Sequence, residues 1–358
     1  MAGCFAFTDL RCISGGTRIE DRRPAISTSL MLSLGRSILM WGAVALSGAS
    51  LASTSAAAQS HTSRPITIII PAPAGSLSDI LARAVTASIT EANSQTFVID
   101  NRPGAAQMIG TRAVARAIAD GHTLIWGGPT NFALNAVLRK DSGYDPIKDF
   151  VPISLIYSSP MYFMTRRDLP VSNVKEVIEY AKRNPGKLTF STNGIGSSTH
   201  VAIELFMQMS GIEMVHVPYT GIGPAILDVM AGRVDLTFPG SYTAVPDISK
   251  VKMLAVTTAR RTSAAPDLPT ISEAGLPGYE AKLWFGLLAP AGTSKDVVQK
   301  LQADVQRAVQ SGSLRKRLKA AGDDLELIGS TSEEFAQLIA SEIPRWKTVV
   351  QAARIPIK

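Results

Sequence analysis

Cysteine is nearly absent: the 358-residue chain has two, Cys4 and Cys12, both ahead of everything patterned like a folded domain. A folded part without cysteine has no disulfide, no thiol nucleophile and no Cys-ligated metal. Histidine is scarce too. None of His61, His122, His200 and His216 stands in H-E-x-x-H or a comparable spacing with carboxylates, so no metal site is expected. Aromatic residues amount to 6%, and the Lys and Arg residues behind the net charge of +7 are dispersed rather than interleaved with them. That pattern argues against nucleic acid as a partner. Catalytic signatures are missing as well: there is no G-x-S-x-G elbow, and Gly194-Ile195-Gly196 lacks the third glycine of a dinucleotide loop, so no cofactor is expected. With 46% hydrophobic and 18% charged residues, disordered, collagen-like and coiled-coil classes are excluded.

The apolar run Ile38 to Leu46 follows Arg36 and leads toward the small residues Ser55-Ala56-Ala57-Ala58. At roughly 10 residues it is about half a membrane span and has the make-up of a secretory signal, with a retained anchor as the lesser alternative. No cysteine follows it, which argues against a lipoprotein. Residues 1–58 therefore read as an N-terminal extension plus a signal peptide, with Met31 as the expected start of translation.

From Pro65 onward a short β-branched run repeatedly gives way to a loop and a capped amphipathic stretch. The run Ile66 to Ile70 reads as a strand buried on both faces. Leu81, Val85 and Ile89 form the stripe of the helix after it, opened by a capping box of Ser76 and Asp79. A strand over Phe97 to Ile99, a helix over Thr111 to Ala119 and a strand over Thr123 to Trp126 continue the series. A second series has a helix capped by Ser172 and strands at Leu188 to Phe190, Val215 to Val217 and Leu236 to Phe238. The chain ends in helices opened by boxes at Thr293/Asp296 and Thr331/Glu334, with no sheet of their own. The expectation is α/β with largely parallel sheets, arranged as two lobes joined by two crossings. Residues 62–158 and 284–358 make the first lobe and 159–283 the second.

Three loops lie between a strand end and a helix start: Ala74-Gly75-Ser76-Leu77-Ser78, Gly127-Gly128-Pro129-Thr130-Asn131 and Asn193-Gly194-Ile195-Gly196-Ser197-Ser198-Thr199. Backbone amides and the positive end of a helix attract an anion, and small residues let it approach. Hydroxyls of Ser76, Ser197, Ser198 and Thr199 add donors. In open α/β sheets ligands bind where such loops converge. For each loop the plain alternative is that Gly, Ser and Thr only turn corners and cap helices. His200 reads equally as a ligand donor or a first-turn residue, Tyr219 as a cleft wall or a packed core residue, and Asp79 as a capping carboxylate. Phe132, Trp284 and Phe285 would supply an apolar lid, with hinge packing as the alternative for Trp284.

An ordered set of motifs then becomes informative: Pro71-Ala72-Pro73-Ala74-Gly75-Ser76-Leu77-Ser78-Asp79, Asn101-Arg102-Pro103-Gly104-Ala105, Asp120-Gly121-His122-Thr123-Leu124, Tyr144-Asp145-Pro146-Ile147-Lys148-Asp149-Phe150, Val217-Pro218-Tyr219-Thr220-Gly221 and Gly286-Leu287-Leu288-Ala289-Pro290-Ala291-Gly292-Thr293. Over Arg64 to Ile355 this set resembles the Bug family, the TctC-type periplasmic solute-binding proteins of tripartite tricarboxylate transporters. The resemblance implies a type II periplasmic binding protein fold with a ligand cleft between its lobes. It also implies a periplasmic location, a small-molecule carboxylate ligand, membrane permease subunits as partners, and no enzymatic activity. A monomer is expected.

Ligand contacts implied for the first loop are Ala74, Gly75, Ser76, Ser78 and Asp79, and for the second-lobe loop Asn193, Gly194, Gly196, Ser197, Ser198 and His200; Thr130, Asn131 and Tyr219 join them. Ser76 and Leu77 stand where the family has further glycines, and Ala105-Ala106-Gln107-Met108 where it has glycine and asparagine. A narrower, more apolar wall is expected at the first loop, and ligand identity does not carry over. Two other classes compete: a ligand-sensing subunit that signals to a membrane partner, and a secreted hydrolase using Ser198 and His200.

Overall fold

A computed structural model describes residues 64–241, 244–320, 326–352 and 355. The expected export segment, Met31, both cysteines and His61 lie outside the described residues.

Strand β1 (Ile66–Ile70) is buried except at Thr67 and lies between β2 (Phe97–Asn101) and β3 (Thr123–Gly127), parallel to both. Its β-branched residues fill both faces, as the interior strand of a parallel sheet requires. The sheet continues through β10 (Lys282–Pro290), antiparallel to β3, then β4 (Phe150–Pro160) and the short β11 (Glu326–Leu327). The second sheet has the order β7-β6-β8-β5-β9, formed by β5 (Tyr162–Arg166), β6 (Thr189–Thr192), β7 (Val215–Pro218), β8 (Leu236–Thr237) and β9 (Val251–Val256). Within it, β7, β6 and β8 are parallel. The chain enters the second sheet through Met161 alone and returns between β9 and β10.

Helix α1 (Leu77–Asn93) buries Leu81, Val85 and Ile89, and ends at Ser94 in a left-handed turn. Helix α2 covers Met108–Ala115 rather than the expected 111–119. Its lead-in, Gly104 to Gln107, is left-handed throughout, with Ala105 at φ 47°, Ala106 at 51° and Gln107 at 72°. Such backbone is strained for residues with a Cβ. A π-helical turn (Thr130–Leu134) runs into α3 (Asn135–Leu138).

In the second lobe α4 (Val174–Arg183) is capped by Asn173, which accepts from the Glu176 amide at 2.9 Å; Ser172, the expected cap, instead donates its own amide to Glu176. Helices α5 (Ser198–Ser210) and α6 (Ile222–Met230) complete that lobe. Helix α7 (Lys295–Gln310) is capped by Ser294, because the buried hydroxyl of Thr293 donates to Pro290 O. After α8 (Gly312–Ala320), α9 (Ser332–Ala352) opens with the complete Thr331/Glu334 box. Helices α7 and α9 pack against β4, so the terminal helices cover the first sheet.

Phe132 and Trp284 belong to the core, not to a lid: both are fully buried, Phe132 edge-on to Phe150 and Trp284 edge-on to Phe335. Phe285 is half-buried and stacks on Tyr157.

Candidate functional site

Strands β1 and β3 run parallel, as do β6 and β8, so four strand ends open into loops: 71–76, 128–129, 193–197 and 238–241. The lobes meet at these loops. Thr130 Oγ1 lies 3.1 Å from Ser198 Oγ, Leu138 stands 3.1 Å from where a Cβ on Gly196 would sit, and Leu77 stands 3.8 Å from the same position on Gly240. The fourth loop escaped the sequence reading because β8 is only two residues long and Pro239 follows after Phe238.

The first loop and the second-lobe loop share one local structure. Gly75 (φ +76°) precedes Ser76 (φ −69°, ψ 160°), and Gly196 (φ +80°) precedes Ser197 (φ −74°, ψ 163°). Each glycine occupies the left-handed region that a side chain disfavours. Each serine caps the helix after it, Ser76 Oγ accepting from the Asp79 amide at 3.4 Å and Ser197 Oγ from the His200 amide at 3.2 Å. The residue four after each glycine then takes that glycine's amide: Gly75 N–H donates to Asp79 Oδ2 at 2.9 Å, and Gly196 N–H to His200 Nδ1 at 3.2 Å. One turn on, Arg83 Nε grips Asp79 at 3.0 Å, while His200 Nε2 reaches Glu204 at 3.3 Å.

These bonds settle where several predicted residues act. Asp79 is buried, and its carboxylate receives Gly75, Arg83 and, at 3.1 Å, Asn101. Burial pushes its pKa up, but the hydrogen bonds and charge of Arg83, with the Gly75 amide and Asn101, outweigh burial and hold it below the usual value. The Asp79 oxygen returns to Gly75 rather than to the cap residue Ser76, whose amide donates to Pro73 O. His200 is buried, its Nδ1 accepting from the Gly196 amide and its Nε2 lying 3.3 Å from Glu204 Oε1. Its ring stacks on His216 at 4.2 Å, and His216 stacks on Phe190 at 4.8 Å. Burial, then the charge of His200, lowers the pKa of His216 to about 4. Asn131 is fully buried; its side chain accepts from the Gly128 amide at 2.8 Å and donates to Thr111. Tyr219 donates to Asp228 at 2.6 Å, and burial together with that carboxylate pushes its pKa up to about 12. Gly194 donates to Thr192 Oγ1, and Ala74, Gly75 and Asn193 are exposed at the loop tips.

Among the described residues, the amides of Leu77 and Ser78 at the start of α1, and of Ser198 and Thr199 at the start of α5, have no partner. Ser78 and Thr199, equivalent in the two loops, also keep unbonded hydroxyls and are buried. Each helix thus offers its first-turn amides and positive end to an anion. The glycines that drew attention in the sequence shape the loops, whereas Leu77 and Thr199 carry amides that are open. Identical Gly-Ser-x-[Ser/Thr] spacing was the legible signal.

Such geometry defines the class: a two-lobe α/β binding protein of the type II periplasmic kind, with a cleft bounded by helix N-termini. A family model described as "Tripartite tricarboxylate transporter family receptor" matches residues 81–355, and the chain belongs to that family, the TctC or Bug type. BugT of Bordetella pertussis is 30% identical over 84% of this chain and 93% of its own length. Among solved structures, R. palustris Rpa4515 with adipate is 37% identical, covering 82% of this chain and 98% of its own, with a TM-score of 0.75. MatC from Rhodopseudomonas palustris with bound malate is 32% identical over 80% of this chain and 99% of its own, with a TM-score of 0.72. The family consists of extracytoplasmic receptors, not enzymes. The hydrolase alternative also lacks geometry, because His200 is consumed by Gly196 and Glu204 while Ser198 faces Thr130.

Proposed function

We propose that this chain is an exported, monomeric receptor that closes two lobes around a small organic carboxylate and delivers it to the membrane permease of a tripartite tricarboxylate-type transporter. The observation that carries the reading is the matched pair of loops, one per lobe, leaving the same first-turn amides open at Leu77/Ser78 and Ser198/Thr199. One carboxylate has lone pairs enough to accept from both pairs at once, which would tie lobe closure to ligand capture. The hydroxyls of Ser76, Ser78, Thr130, Ser197, Ser198 and Thr199 would complete the shell, while Asp79, His200 and Asn131 hold its shape. The adipate and malate carried by two structural relatives are of matching chemistry. Residues 62–158 with 284–358 would move against 159–283 about the two crossings. Export would follow cleavage after Ser55 to Ala58, yielding a mature chain that starts near Gln59 and has no thiol.

Thermal unfolding with a panel of mono-, di- and tricarboxylates, aromatic acids and acidic amino acids tests the reading. A true ligand at about 100 times its Kd stabilises the fold by about 2.7 kcal/mol. A panel without any shift in melting temperature would reject the receptor function.

A further inference from the structure

Four arginines among the described residues are half-buried: Arg112, Arg139, Arg166 and Arg345. Three are matched. Arg112 Nε donates to Ser142 O at 2.7 Å, Arg166 pairs with Asp235 and Asp168 at 2.7 and 2.6 Å, and Arg345 pairs with Glu342 at 2.8 Å. Arg139 differs: its side chain has no hydrogen bond or ion pair among the described residues, and its Nε is sealed from solvent with no acceptor. A guanidinium cannot shed its charge, so a buried donor on it is costly to leave unmatched.

The position of Arg139 says what would match it. It follows α3 directly, on the first-lobe side, and its Nη2 lies 3.9 Å from where a Cβ on Gly196 would stand. Gly196 belongs to the second-lobe loop that presents the Ser198 and Thr199 amides. Arg139 therefore sits where the two lobes meet, beside the anion-binding helix ends but not among their donors. Helix ends bring partial charges suited to one carboxylate. A complete cationic fork next to them suits a second one, which it can take with two parallel hydrogen bonds.

We propose that Arg139 is a second anion-recognition point in the cleft, taking the far carboxylate of a ligand with two acidic ends. The proposal rests on the carboxylate-receptor reading above and narrows it to dicarboxylates. Arg139 then sets selectivity, and a monocarboxylate of equal length leaves it unpaired in the closed state.

Calorimetric titration of the exported protein with matched acids, succinate against butanoate and adipate against hexanoate, tests it. The wild type should prefer the diacid of at least one pair by about tenfold or more. Arg139→Gln should lower that diacid's affinity by about tenfold, equal to about 1.4 kcal/mol, with the monoacid changed far less. Arg139→Lys, which keeps the charge and loses the fork, should fall between. If the glutamine variant does not fold, the lysine variant carries the test through the same diacid-to-monoacid ratio. A ratio unchanged by substitution, or a wild type that binds both members of each pair equally, overturns the role of Arg139 while leaving a carboxylate receptor standing. A wild type that binds none of the four acids, and no other carboxylate, removes the receptor reading and this one with it.

Discussion

The two loops that face each other across the cleft have the same backbone and opposite electrostatics. At the first, Gly75 is held by a carboxylate that is in turn held by Arg83; at the second, Gly196 is held by an imidazole that is in turn held by Glu204. Glycine, serine cap, acceptor at the fourth position and partner at the eighth recur in both, yet acid and base have changed places. A left-handed turn into a helix leaves its glycine amide pointing back over the first turn, where any acceptor four residues on can take it. Local geometry therefore demands an acceptor, not a particular residue. The difference lies in the ionisable groups around each loop and in what the loss of its acceptor leaves unpaired.

The largest effect should come from placing charge where one loop offers neutral donors. Ser198→Asp sets a carboxylate beside Thr130 at the mouth of α5, and like charges in a closed cleft repel by several kcal/mol. Carboxylate binding should collapse with the ligand-free melting temperature nearly unchanged; affinity kept within tenfold would move the anion site away from this loop.

Removing the acceptors comes next and compares the loops directly. Asp79→Ala takes the acceptor from the Gly75 amide and from the half-buried Asn101 side chain, and His200→Phe strands the buried Gly196 amide and the Glu204 carboxylate, each at about 1–3 kcal/mol. Chemical denaturation should show comparable losses for the two variants. A neutral result for one of them would break the equivalence of the loops.

Acid should then separate them. His216 stacks on His200 and bonds Thr192, whose hydroxyl accepts from Gly194, and its pKa of about 4 stands below the ordinary 6.5. Between those values the unfolded chain binds the extra proton, so stability rises with pH across that window and is lost as pH falls through it. Asp79 acts lower. Its pKa is held below 3.8, so its contribution is complete above about that pH and declines only beneath it. Hydrogen-exchange protection over residues 193–205 should fall between pH 6.5 and 4.5 while that over 73–84 holds. Parallel changes in both segments would remove the distinction.

The smallest effect concerns the strained lead-in to α2, whose Ala106 carbonyl accepts from Asn135 at 2.9 Å. Ala106→Gly removes the left-handed penalty at that residue, about 1 kcal/mol, less what glycine loses in chain entropy. A small rise in melting temperature is expected. A fall would mean that the alanine methyl is packed well enough to outweigh the strain.

Much of this architecture was legible in the residues. The apolar continuity of Ile66 to Ile70, the stripes of α1 and α7 and the Thr331/Glu334 box are local patterns, and local patterns survive folding. Boundaries slipped where a neighbour outcompeted the expected cap, as when Asn173 took the Glu176 amide ahead of Ser172 or Thr293 turned its hydroxyl to Pro290. Phe132 and Trp284 read as lid residues because their sequence neighbours are loops, whereas their burial depends on Phe150 and Phe335, distant in the chain.

By itself the sequence determined the α/β alternation, the confinement of cysteine to the first twelve residues, and a family membership carried by ordered motifs. Each of these rests on residue identity or on spacings within one helical turn. Only the tertiary structure decided which amides remain open. Gly75 and Gly196 are loop residues by their spacing, but whether their N–H groups are offered or spent depends on side chains four residues away adopting one rotamer among several. It also decided that Arg139, one of many dispersed cations, stands unmatched beside Gly196. No spacing encodes that meeting, because loop closure over 57 residues is set by the packing of two sheets and not by any local preference.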